Sequence, residues 1–141
     1  MNEAQFSIVL PKRDNSDRPI SKKVHQRYAK QMSNHFGGVT IQPAVLGCYV
    51  GGNKKLQCEE NVVLQSARDC MGMKNKICKN TITSDYSFIK KMGKSAAKQL
   101  GQESVKVDSE VLNDVSFQQG IKEKGVSQKL VRKYDYFERL I

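Results

Sequence analysis

From Ile20 to Phe36 the apolar residues recur at every fourth position, and beyond Gly37-Gly38 they alternate instead. Ile20, Val24, Tyr28, Met32 and Phe36 trace one face of a helix. Val39, Ile41, Val45 and Tyr49, set off by Thr40, Gln42 and Leu46, have the period of a strand. A change of period across two glycines predicts a helix that stops and a strand that starts within two residues. Gly37 is the expected stop, because glycine enters the left-handed region that reclaims the last helical carbonyls. A chain with this joint must stack a helix on a sheet.

The flanking segments extend the pattern. Gln5 to Leu10 alternates Phe6, Ile8 and Leu10 and predicts a first strand ended by Pro11. Asp17 is the expected cap of the first helix, with Pro19 in its first turn. Pro43 suggests an edge strand or a bulge, and Gly51-Gly52-Asn53 predicts a hairpin turn needing positive φ. The return strand runs from Lys55 to Arg68. Residues 69–83, DCMGMKNKICKNTIT, show no clear period and read as one long basic connection. Ser84 or Asp85 then caps a second helix with Ile89, Met92, Ala96 and Leu100 on its buried face, stopped by Gly101. Glu103, Val105, Val107 and Val111 alternate as a fourth strand.

Strand–helix–strand–strand–helix–strand is the order of the split βαβ. The expected fold is therefore α+β, a ferredoxin-like two-layer sandwich with both helices on one face of an antiparallel sheet. Residues 1–112 form that core in this reading. Residues 113–141 form an extension in which Val126, Leu130, Tyr134, Phe137 and Ile141 fall at helical spacing from about Ser127. That third, amphipathic helix would dock on the core, pair in a homodimer or meet an acidic protein partner.

At 141 residues the chain fits one core, and no apolar run reaches the ~18 residues that span a bilayer. The start, MNEAQFSIVLPKRDN, lacks the pattern of a secretory signal, so the expected setting is intracellular, or the host cytoplasm if the protein is viral. Cys48, Cys58, Cys70 and Cys78 are then expected as buried free thiols, and their spacings lack the close pair a zinc site uses. No phosphate-loop or dinucleotide motif is present, and no cofactor is expected.

Four short motifs in this order resemble a known group: F-G-G-x-T (Phe36–Thr40), G-x-aromatic (Gly47–Tyr49), the Glu59-Glu60-Asn61 return strand and Q-E-S-V (Gln102–Val105). The chain is similar over residues 5–110 to a loose family of small phage and bacterial proteins of unknown function that carry this helix–strand joint. Typical members have tryptophan where Tyr49 stands, and lack the basic 69–83 segment and the C-terminal extension. The resemblance implies the same fold and transfers no mechanism.

Charge is the clearest functional signal. The net charge is +10, and the excess falls in residues 1–35 and 69–100, each with seven Lys/Arg against three and two acids. Lys90, Lys94 and Lys98 repeat along the second helix with Lys91 beside them, and Lys23, Arg27 and Lys30 lie off the apolar face of the first. With Lys74, Lys76 and Lys79 they would form one basic surface for phosphate backbones. No aromatic residue interleaves the stripes, so stacking on single-stranded bases has little support. The expected function is a non-enzymatic binder of nucleic acid or another polyanion, in the setting of a phage or mobile-element accessory factor.

Two other functions compete with it. The C-terminal helix would make the chain a protein–protein adaptor or inhibitor. Alternatively Thr40, Glu59, Glu60 and Glu103 would serve a nucleotide-binding or hydrolysing protein, two acids on adjacent strands holding magnesium or acting as acid and base. Strand alternation lets only one of Glu59 and Glu60 meet Glu103; Glu60, on the apolar side, is expected to be a partly buried structural acid. His25 and His35 read as surface or cap residues.

Overall fold

The computed structural model describes residues 3–102, 104–113 and 129–138. Its elements in chain order are β1 (Glu3–Pro11), α1 (Lys22–Phe36), β2 (Thr40–Val50), β3 (Leu56–Asp69), α2 (Asn75–Gln99), β4 (Ser104–Asn113) and β5 (Lys129–Glu138). The strands form one antiparallel sheet in the order β2-β3-β1-β4-β5. The first four give the ferredoxin-like two-layer sandwich, and β5 adds a strand beyond β4.

Alternation decides which sheet face the helices cover. Ala4, Phe6, Ile8 and Leu10 on β1, Val62 and Leu64 on β3, and Val105 and Val107 on β4 are buried. Against them pack Tyr28, Ala29 and Met32 of α1 and Ile89, Met92, Ala96 and Ala97 of α2. The Tyr28 hydroxyl donates to Gln99 Oε1 and ties the two helices together.

Gly37 stops α1 as expected: its φ is 93°, and its N–H donates to the Ser33 carbonyl. The start differs. Ser21, not Asp17, caps α1, because Asp14 first folds residues 14–18 into a tight loop by accepting the N–H groups of Ser16 and Arg18. At the hairpin the left-handed residue is Lys54 (φ 63°) rather than a glycine.

The 69–83 segment is not one long loop. α2 begins at Asn75 rather than near Ser84, and it buries Cys78, with Ile82 partly buried one turn later. The hydroxyls of Thr81 and Thr83 donate back to the carbonyls of Ile77 and Lys79, so these β-branched residues sit within the helix.

The cysteines are not free thiols. Cys48 and Cys58 stand directly opposite on β2 and β3 and are bonded. Cys70, just after β3, is bonded to Cys78 in the first turn of α2, with their Cα atoms 5.6 Å apart. A hairpin converts a spacing of ten into direct opposition, which linear spacing conceals.

The expected C-terminal helix does not form over residues 129–138. Residues 129–138 form β5, whose register sets Leu130 against Leu112, Tyr134 against Asp108 and Phe137 against Val105. β4 otherwise presents an open edge, and pairing it outweighs a helical spacing shared by a few residues. Val126 and Ile141 lie outside the described residues.

Two expectations follow. Gly37→Val forces a β-branched residue to positive φ and should destabilise by more than about 1 kcal/mol. Gly38→Ala, where an added Cβ meets nothing within 4 Å, should melt near the parent temperature. The disulfides close spans of 8 and 10 residues, so chain entropy assigns each about 2.5 kcal/mol. They should differ in where they act. The start of α2 has no side-chain cap and no acid in its first turn, and Lys76 opposes the helix dipole there. Cys70→Ser/Cys78→Ser should speed amide exchange in residues 75–81, and Cys48→Ser/Cys58→Ser should not.

Candidate nucleic-acid interface

Both helices lie on the same face of the sheet, so their outer sides share one surface. α1 carries Lys22, Lys23, Arg27 and Lys30 and no acid. α2 carries Lys76, Lys79, Lys90, Lys91, Lys94 and Lys98, and its one acid is Asp85. Lys23, Arg27, Lys30, Lys74, Lys76, Lys79, Lys91, Lys94 and Lys98 are exposed. Lys90 is half-buried, its ammonium 5.2 Å from the centre of the Tyr86 ring. It is the one member of the expected stripe turned partly inward.

Asp85 takes no part in the solvent face. Its side chain is 2% exposed and accepts two bonds from Arg68, Nε to Oδ2 at 2.8 Å and the terminal nitrogen to Oδ1 at 2.9 Å. His35 Nε2 reaches the same Oδ1 at 2.8 Å. The His35 ring stacks on Phe88 at 3.9 Å between centroids, and Arg68 lies 5.5 Å from the Phe36 ring centre. Bonding to the Asp85 carboxylate raises the Arg68 pKa above its ordinary value, outweighing partial burial. The cluster fastens α2 to β3 and to the end of α1, and removes the single acid of α1 and α2 from solvent. His35 is therefore a half-buried member of this cluster rather than a surface or cap histidine.

Ser84 and Asp85, the expected alternatives for the cap of this helix, both lie inside α2. A signal was present: Cys78, Ile82, Asp85, Ile89, Met92 and Ala96 follow one helical face, and an acid in that row needs a buried cation.

The strand adjacency that the acidic site would need is not found among the described residues. β1 lies between β3 and β4, which puts those strands about 10 Å apart rather than adjacent. Glu103 lies outside the described residues. Glu60 is exposed, not a buried structural acid, and pairs with Lys12 at 3.3 Å. It sits on β3 beyond the end of the helix layer. Glu59 is exposed opposite Gly47, and Thr40 is exposed opposite Gln65.

A cleft of about 1030 Å³ opens between the Lys12–Ile20 loop, the start of α1 and the lower half of β2 and β3. Ile41, Val62 and Leu64 line its apolar side, and its rim carries both signs, Asp14, Asp17, Glu59 and Glu60 with Lys12, Arg13 and Lys22. The backbone N–H of Arg18 is the main cause holding the Asp14 carboxyl below its ordinary pKa. His25 Nε2 is 2.9 Å from the Pro11 carbonyl and forms part of the opposite wall.

No protein-family model matches the chain, and no curated protein matches it in sequence. Among solved structures, a phage SAM lyase in complex with S-methyl-5'-thioadenosine is similar at 14% identity and a TM-score of 0.49, over 94% of this chain and 90% of that one. The phage SAM lyase in its apo state is similar at 16% identity and 0.47, over 95% and 90%. Both likenesses are distant, and the lyase's ligand is its own. No helix among the described residues is long and apolar enough to cross a membrane.

Removing Asp85 tests the cluster. Asp85→Ala strands the Arg68 charge and should cost about 3 kcal/mol in urea unfolding. Arg68→Met added to Asp85→Leu should recover most of that loss.

Proposed function

We propose that this chain is a non-enzymatic binder of nucleic acid, with the outer face of the helix layer as the contact surface. The observation that carries the reading is the charge of that face: four Lys/Arg on α1, six on α2, and no carboxylate left in solvent on either helix. Such a surface gains affinity by releasing counterions from a phosphate backbone. α2 has 25 residues and is therefore about 37 Å long, comparable to one turn of duplex DNA.

Duplex is favoured over single strands. Tyr28 is buried, Tyr86 and Phe88 are half-buried, and no exposed large aromatic lies on the described helix layer for bases to stack on. Other polyanions share the chemistry and would compete. The phage or mobile-element setting belongs to the same proposal and rests on the resemblance of residues 5–110 alone.

The test is duplex binding measured across salt. Lys91→Glu/Lys94→Glu/Lys98→Glu should weaken affinity at least tenfold and lower the slope of log K against log salt by roughly 2–3. Lys106→Glu, on the opposite side of the sheet, should leave both unchanged. Absence of binding at low salt, or indifference to the triple change, would overturn the proposal.

A further inference from the structure

The hairpin of β2 and β3 runs past the helix layer. β1 ends at the Pro11–Asn61 pair, the Lys12 N–H donates to the Glu60 carbonyl just beyond it, and residues 56–59 of β3 then pair with β2 alone. By register Leu46, Val50 and Leu56 belong to the face that the helices cover elsewhere, yet they are 63%, 66% and 67% exposed. A two-stranded ribbon with an uncovered apolar face is marginal by itself, and the Cys48–Cys58 bond staples this one.

Charge is graded along the arm. Lys54 and Lys55 stand at its tip next to the Val50–Leu56 pair, the Cys48–Cys58 pair lies in the middle, and Glu60 stands at its root opposite Leu46. Tip and root are about 17 Å apart along the strand. This is a self-complementary pattern: a second arm laid antiparallel about a two-fold axis brings each tip to the other's root.

We infer that the helix-side face of the arm is a dimer surface for a second copy of this chain. Leu46, Val50 and Leu56 then cover their counterparts, and the tip lysines of each copy reach Glu60 at the root of the other's arm. Glu60 already pairs with Lys12, yet its side chain stays 63% exposed and open to a second cation. The inference does not rest on nucleic-acid binding.

The test is sedimentation of the full chain at concentrations up to about 100 μM, with melting curves as the check on folding. A dimer is expected, weakened at least tenfold by Leu56→Asp. Lys54→Glu and Glu60→Lys should each weaken it too, because each sets like charges at both contacts of the two-fold. Mixed one to one, these two variants should form a heterodimer more stable than either homodimer, since both contacts are then of opposite sign. A monomer throughout, as when the chain's own residues cover the arm, would overturn the inference. So would a dimer indifferent to Leu56→Asp, or a mixture that sediments as the sum of its parts.

Discussion

A buried carboxylate fixes how the layers of this molecule meet. Asp85 lies in the middle of a helix that must pack against a sheet, and there a lone negative charge would be costly. Its two bonds from Arg68 and its contact with His35 require α2, β3 and the end of α1 to converge at one point. Apolar packing tolerates a slide of a helix along a sheet; a bidentate pair does not. The ring of His35 against Phe88 and the guanidinium beside Phe36 close the cluster with flat surfaces. The outward direction of each helix, and so of its lysines, follows from this anchor.

The anchor also bears on the charge layout. The excess of +10 is not spread evenly. Carboxylates occupy the Lys12–Ile20 loop, the hairpin and the sheet face away from the helices, where Asp108 and Glu110 pair in register with Ser7 and Gln5. Both helices are left with cations alone in solvent. Segregation of that kind costs repulsion between neighbouring lysines, so a polyanion that relieves it gains affinity.

Much of the fold was legible because local periods are strong where both layers are apolar. The joint at Gly37, the element order through β4 and the covered face of β1 all follow from spacing. The start of α2 was hidden because residues 69–83 show no clear period by themselves, and Cys78 and Ile82 join the α2 face only when the row is continued through Asp85. The tail misled for another reason. Residues 129–138, KLVRKYDYFE, satisfy two periods in part, and only the open edge of β4 selects between them. For the candidate surface, the basic stripes could be read directly, but the inward lean of Lys90 and the concealment of Asp85 depend on tertiary neighbours.

One irregularity in β2 ties together features that look separate. Up to Gln42 the strand pairs in one register with β3, and from Val45 onward it pairs in another, so that Pro43 and Ala44 together oppose Val62. A proline at that point donates no hydrogen bond, so the ladder is interrupted there. The extra residue moves everything beyond it by one place, turning Leu46 and Val50 to the helix side and bringing Cys48 level with Cys58. In an unbulged ladder of the same length Cys58 would face Gly47, and the two sulfurs would lie on opposite sides of the ribbon. The bulge thus absorbs one surplus residue and keeps the cysteines level. A homologue missing one residue between Gln42 and Val45 would keep the same partners in an unbroken ladder, and is expected to lose the bulge while retaining both cysteines.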